Sequence, residues 1–111
     1  MPKSSRFAKR IVALRGRFLR FEYVCSGNLR RRYAVCGTKN CRCKAQPPAL
    51  HGPYYYWSRM VGGKVVQRVL APEDAEVVRK GIENYREART LLRKWEEETV
   101  RDIETRKRAR R

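Results

Sequence analysis

Apolar side chains recur three and four positions apart near the start of the chain, with Phe7, Ile11, Leu14 and Phe18 on one helical face and cations around them. This spacing predicts an amphipathic helix within residues 5–24, with Gly16 as a weak point and Phe21-Glu22-Tyr23-Val24 readable as an extended continuation. After a Ser26-Gly27-Asn28 turn the period changes to two: Leu29, Tyr33 and Val35 point one way and Arg30 and Arg32 the other, a short strand over 29–35. Residues 54–60 and 64–70 are β-rich runs around Val61-Gly62-Gly63, a hairpin signature. With Gly62 and Gly63 as the loop, Met60 pairs with Val65 and Tyr56 with Val69. Tyr54, Tyr56, Met60, Val65 and Val69 then form the more apolar face, and Tyr55, Trp57, Arg59, Lys64 and Arg68 share the other.

Pro72 followed by Glu73 and Asp74 predicts a helix start, because proline suits the first position and acids complement the positive end of the dipole. Val78, Ile82, Tyr85, Leu92 and Trp95, flanked by Val77, Ala88 and Leu91, make an apolar stripe expected to meet the sheet and the first helix. Beyond Trp95 the stripe thins, and Glu97 with Arg101, Asp102 with Arg106 and Glu104 with Arg108 stand at i,i+4. A continuous helix over 73–104 is about 48 Å long, enough to overhang a small domain. Residues 106–111 read as a disordered or anion-contacting basic tail.

The expected class is therefore α+β: a small three-stranded antiparallel sheet with a metal-stabilised loop, an N-terminal helix and a long C-terminal helix. Its parts are a basic extension over 1–24, a core over 25–95 and a protruding helix end with a basic tail over 96–111. No internal repeat appears, and no run approaches the ~20 apolar residues of a membrane span.

Cys36, Cys41, Cys43 and His51 stand in a C-x4-C-x-C-x7-H arrangement. Three thiolates and one imidazole make a soft, four-fold donor set suited to a structural zinc ion. Pro47-Pro48 stiffens the loop, which runs to Gly52-Pro53. A disulfide pair and buried free thiols are the competing descriptions. Cys25 is the spare cysteine, either an alternative to His51 as fourth ligand or an ordinary buried thiol.

The 111 residues carry 28 Lys+Arg against 11 Asp+Glu, a net charge of +17, and the excess is concentrated early. Residues 1–35 hold ten cations and one acid, Glu22; residues 36–71 hold six cations and no acid; residues 72–111 hold twelve and ten. A polyanion is the expected partner, and arginines interleaved with aromatics favour nucleic acid over membrane. The residues expected to touch it are Arg30, Arg32, Tyr55, Trp57, Arg59, Lys64 and Arg68 on the strands, with Lys39, Arg42 and Lys44 on the loop. A merely solvated cationic surface, with Trp57 under the first helix, is the bland alternative. Catalysis finds little support, since there is no spare histidine and no phosphate-binding glycine loop.

The run containing Arg32-Tyr33, Cys36-Gly37, Cys41-Arg42-Cys43, Leu50-His51-Gly52-Pro53-Tyr54 and Gly63-Lys64 resembles a small, functionally uncharacterised family of prokaryotic zinc-knuckle-like proteins, over roughly residues 27–95. The resemblance implies that Cys36, Cys41, Cys43 and His51 act together and brings no activity. Cys25, the basic N-terminal segment and the basic tail fall outside its pattern. By layout alone, three strands followed by a helix are also found in integrase-type modules whose sheet enters the major groove. The expected function is a non-catalytic, zinc-stabilised nucleic-acid-binding protein, DNA or RNA, serving a nucleoprotein complex. The alternative is an adaptor whose 73–104 helix binds a polymerase, recombinase or ribosome component, or a second copy of the chain. The expected location is cytoplasmic, at nucleoid or ribosome; residues 1–20, with seven cations and no acid, read alternatively as an organellar transit segment.

Overall fold

The computed structural model describes residues 5–35, 37–45 and 48–110. Cys36 and Pro47, both named above, lie outside the described residues. Helix α1 spans Ser5–Phe18, with Arg15 and Arg17 in its last turn complementing the negative end of the dipole. It stops well short of residue 24. Arg20 N–H donates to Arg17 O and Phe21 N–H to Phe18 O, each at 3.2 Å, so the helix closes by three-residue bonds. Residues 21–27 carry no strand, so the extended continuation expected there is irregular chain instead.

Strands β1 (Asn28–Ala34), β2 (His51–Val61) and β3 (Lys64–Leu70) form one antiparallel sheet in the order β1-β2-β3. Met60 stands opposite Val65 and Tyr56 opposite Val69, the register expected from the Gly62-Gly63 loop. Both glycines have positive φ, 57° and 80°, as a two-residue hairpin turn of this hand requires. Strand β2 begins at His51, not at Tyr54, so the cysteine-containing loop ends sooner than the sequence suggested.

Helix α2 runs unbroken over Pro72–Ala109, about 57 Å at ~1.5 Å per residue. The proline start is as expected, while the basic residues 106–108 are helical and not a disordered tail. Along its exposed length Arg106 pairs with Asp102 at 2.7 Å, as anticipated. Arg101 instead takes Glu98, one residue nearer than Glu97, also at 2.7 Å.

The chain divides into two compact units, Met1–Glu22 with Glu83–Arg111, and Tyr23–Ile82. In the first, α1 lies against the later part of α2. Ile11, Leu14 and the wholly buried Leu91 form its core, and Phe7, Phe18, Phe21 and Trp95 pack on it. Arg10 meets Glu98 at 3.2 Å and Arg17 meets Glu87 at 2.7 Å, so the two helices run antiparallel. Trp95 takes the place expected of it in the stripe on α2, but Leu92 is 56% exposed and the flanking Leu91 is the side chain that fills the core.

In the second unit the sheet is accompanied by the first turns of α2, where Ala75, Val78 and Ile82 are buried. Cys25 N–H donates to Gly81 O at 3.1 Å, and its thiol lies 3.6 Å from Val78 O. A Cβ on Gly81 would stand 2.6 Å from that sulfur, so glycine permits this close approach. Among the described residues, no helix is long and apolar enough to cross a membrane.

Candidate metal centre and the two sheet faces

The loop between β1 and β2 is organised by its own backbone. Asn40 takes a left-handed conformation, φ 58°, which reverses the chain just before Cys41. A single 3-10 turn, Arg42–Lys44, follows, with Cys41 extended at its start and Lys44 N–H bonded to Cys41 O at 3.0 Å. Ala49 N–H then returns to Arg42 O at 2.9 Å, and the Lys44 ammonium caps Thr38 O. These bonds fold the close Cys41-Arg42-Cys43 step on itself. Cys43 is 1% exposed, whereas Lys39, Arg42 and Lys44 are exposed around it.

His51 arrives from the other side through an irregularity in β2. Arg32 stands opposite Tyr54, yet Ala34 stands opposite His51, so β2 carries one extra residue there. An extra residue shifts the two-residue alternation and re-aims the side chain beyond it. Gly52 makes the irregularity feasible: its φ is +126°, and a Cβ would stand 2.9 Å from Arg32 O and 3.3 Å from the Tyr33 Cα. The peptide that follows, Gly52-Pro53, is cis.

The outcome is a cluster of Cys41, Cys43 and His51 whose ligand atoms all lie within 4.8 Å of one another, with Cys41 Sγ 3.0 Å from His51 Nε2. A tetrahedral ion with bonds of ~2.0–2.3 Å needs donor atoms about 3.5–3.8 Å apart, so the three residues lie close enough to bind a metal. Two thiols and an imidazole, one sulfur fully buried, are a fitting donor set. The expected fourth ligand, Cys36, lies outside the described residues. Cys25 is not in this cluster; its thiol lies against α2, where burial pushes it above its ordinary pKa while the charge of Arg59 opposes the rise. Of the two expected alternatives, His51 is the residue brought to Cys41 and Cys43.

The sheet separates the residues expected on one nucleic-acid surface. Tyr55, Trp57, Arg59 and Arg68 do share a face, with Val66 and Leu70 between them. This is the inward face: Tyr55, Trp57, Arg59, Val66 and Leu70 are all half-buried. The Trp57 indole donates to Ser26 O at 3.0 Å, and the Arg59 guanidinium lies 5.0 Å above the indole ring. Arg59 Nε is buried with no hydrogen-bond partner. Lys64 and Arg68 are exposed at the rim. Arg30 and Arg32 stand on the opposite face, across from Tyr56 and Tyr54, which corrects their grouping with Trp57.

That outward face is the more apolar one. Met60, Val65 and Val69 are 63%, 68% and 61% exposed, and Tyr54 is exposed as well. The Arg32 guanidinium lies 5.7 Å from the Tyr56 ring centre. Hydrophobic content is a poor guide here because a guanidinium can lie flat on an indole and bury its stem, which lets an aromatic-cationic face turn inward. What the sequence reading missed, the Gly81 approach to Cys25 and the shift at Gly52-Pro53, was signalled only by glycines at those positions.

No curated protein and no solved structure matches the chain. The model of one family covers residues 4–80, which takes in α1, the metal loop, the whole sheet and the start of α2; the chain belongs to that family, DUF6788, described as a domain of unknown function.

Proposed function

We propose that this chain is a zinc-stabilised, non-catalytic nucleic-acid-binding protein that serves as an accessory component of a nucleoprotein complex. One observation carries the reading: from residue 23 to residue 72 the chain holds nine Lys and Arg residues and no acid, across the metal loop and the whole sheet. Such a surface attracts phosphate and releases counterions from it. Zinc is the ion favoured by two thiolates and an imidazole, with Cys36 supplying the fourth donor of a closed, structural site. A closed site holds the loop and activates no water, in keeping with a binding function. The reading takes the matched family to be the prokaryotic zinc-knuckle-like group named above.

The test joins metal analysis with a salt series. Protein purified without added metal should carry stoichiometric zinc and should bind labelled nucleic acid with log Kd rising linearly in log salt. Absence of zinc together with absence of binding at about 50 mM salt would overturn the proposal. A second reading, an adaptor working through α2, is favoured by the exposure of Leu92, Val100 and Ile103 on that helix. In that case Leu92→Asp abolishes association with a protein partner and leaves nucleic-acid binding intact.

A further inference from the structure

We propose that the outward face of the sheet is a platform for an unpaired stretch of RNA, with Tyr54 and Tyr56 as stacking rings and Arg30 and Arg32 as phosphate contacts. The inference rests on the nucleic-acid reading and names both the surface and the form of the ligand.

Three features of that face select the ligand. Tyr54 and Tyr56 lie two residues apart on the central strand, and each has an arginine directly across on β1: Arg32 opposite Tyr54 and Arg30 opposite Tyr56. Ring and cation thus repeat along the strand at about 6.8 Å, twice the ~3.4 Å rise of a stacked nucleic-acid strand. Bases must leave their stack to occupy successive rings, which an unpaired strand allows and a duplex resists. Beside the rings, Val69 stands opposite Tyr56 and Val65 opposite Met60, an exposed apolar floor that offers nothing to the polar edges of a duplex groove.

The third feature is the row Asn28, Ser58 and Gln67, one residue from each strand in register on this same face. Its amides and hydroxyl donate and accept, the capacity needed for base edges and for a ribose 2′-hydroxyl. This row is the ground for naming RNA over single-stranded DNA. Charge complementarity decides against an ordinary protein partner, since no acid lies between residues 23 and 72 to answer a basic surface.

The test is fluorescence anisotropy of the zinc-loaded full chain with labelled oligonucleotides of about 10 residues, as single-stranded RNA, single-stranded DNA and duplex DNA, over a salt series. Single-stranded RNA should bind most tightly. Tyr54→Ala should weaken it roughly 5- to 150-fold, the range for one lost base stack, with the salt slope unchanged, and Tyr54→Phe should retain binding. Arg30→Ala should lower the slope by about 0.7. Val69→Glu, at a site exposed enough to spare the fold, should weaken single-stranded RNA at least fivefold and so serves as an independent check on the surface. Equal affinity for all three ligands, indifferent to Tyr54→Ala and Val69→Glu, would overturn this platform while leaving the chain a nucleic-acid binder. Single-stranded DNA bound as tightly as RNA would overturn the choice of RNA. No binding to any of the three would remove the underlying reading as well.

Discussion

Gly81 tests the architecture because two physical rules give it opposite signs. It lies inside α2, where replacing glycine by alanine ordinarily stabilises a helix by about 0.5–1 kcal/mol. At this position, however, the new methyl would stand 2.6 Å from Cys25 Sγ and 3.2 Å from Cys25 N. The sulfur can move only by giving up its place against Val78 O, and the backbone nitrogen is tied to Gly81 O at 3.1 Å. Forcing one methyl into such a contact costs about 1–3 kcal/mol, which exceeds the helical gain. Gly81→Ala should therefore destabilise the protein by about 0.5–2 kcal/mol, with Tm falling by ~4–8 °C per kcal/mol at fixed metal occupancy. The assay is urea and thermal unfolding of four proteins: wild type, Gly81→Ala, Cys25→Ala and the double variant. Removing the sulfur relieves the worst contact, so the double variant should recover about 1 kcal/mol relative to additivity. A Gly81→Ala protein more stable than wild type, with no coupling to Cys25, would refute the close approach of the Cys25 segment to α2.

Four further outcomes follow from the same geometry. Leu91→Ala should cost about 2–5 kcal/mol by urea unfolding, because Leu91 is fully buried, whereas Leu92→Ala should cost less than about 0.5 kcal/mol; equal losses would return the stripe to Leu92. Gly52→Ala forces a φ of +126° on a residue with a Cβ and drives that atom into Arg32 O, so chelator competition should show weaker metal binding; unchanged affinity would mean that His51 does not depend on the strand irregularity. Cys43→Ser should lose metal by elemental analysis and lower Tm, and a metal-free wild type should unfold at the same lowered Tm; a variant that retains full metal content would remove Cys43 from the site. Because the folded Cys25 thiol titrates above its unfolded value, its contribution is complete below the unfolded thiol pKa and is lost as pH rises through the folded one. Urea midpoints should thus fall more steeply in wild type than in Cys25→Ala above about pH 8.5, and parallel curves would refute it.

The local rules were the legible part of this chain. Gly62-Gly63 specified the hairpin register residue by residue, since a two-residue turn leaves one pairing open to the flanking strands. Pro72 marked the start of α2, and the clustering of cysteines with the lone histidine pointed to Cys41, Cys43 and His51. Choices between two equivalent arrangements were not legible. Alternation told which residues of one strand share a face, but neither which face of β1 continues which face of β2 nor which side of the sheet turns inward; Arg59 over Trp57 lets the aromatic-cationic side do so, hiding a cation that a hydropathy scale places in water. Helical periodicity left Leu91 and Leu92 adjacent candidates; their difference arises from where Ile11 and Leu14 meet α2, a tertiary property.

The thin packing of the Tyr23–Ile82 unit connects the candidate metal centre to the open sheet face. None of its described strand residues is fully buried; among the described residues its buried side chains are Cys43 in the loop and Ala75, Val78 and Ile82 on α2. A three-stranded sheet that keeps Met60, Val65 and Val69 on the outside has forgone a large share of the burial that would ordinarily hold it. Apolar surface left exposed in this way is retained when it has something to bind. The sheet then needs another source of order, and the loop that joins β1 to β2 is where an ion would supply it, because Cys41 and Cys43 on that loop and His51 at the first position of β2 converge from both ends of the connection. On the proposed reading, metal coordination replaces part of a missing core, and the apolar side chains thereby released face outward beside Arg30 and Arg32, where rings and cations together suit an unpaired polyanion.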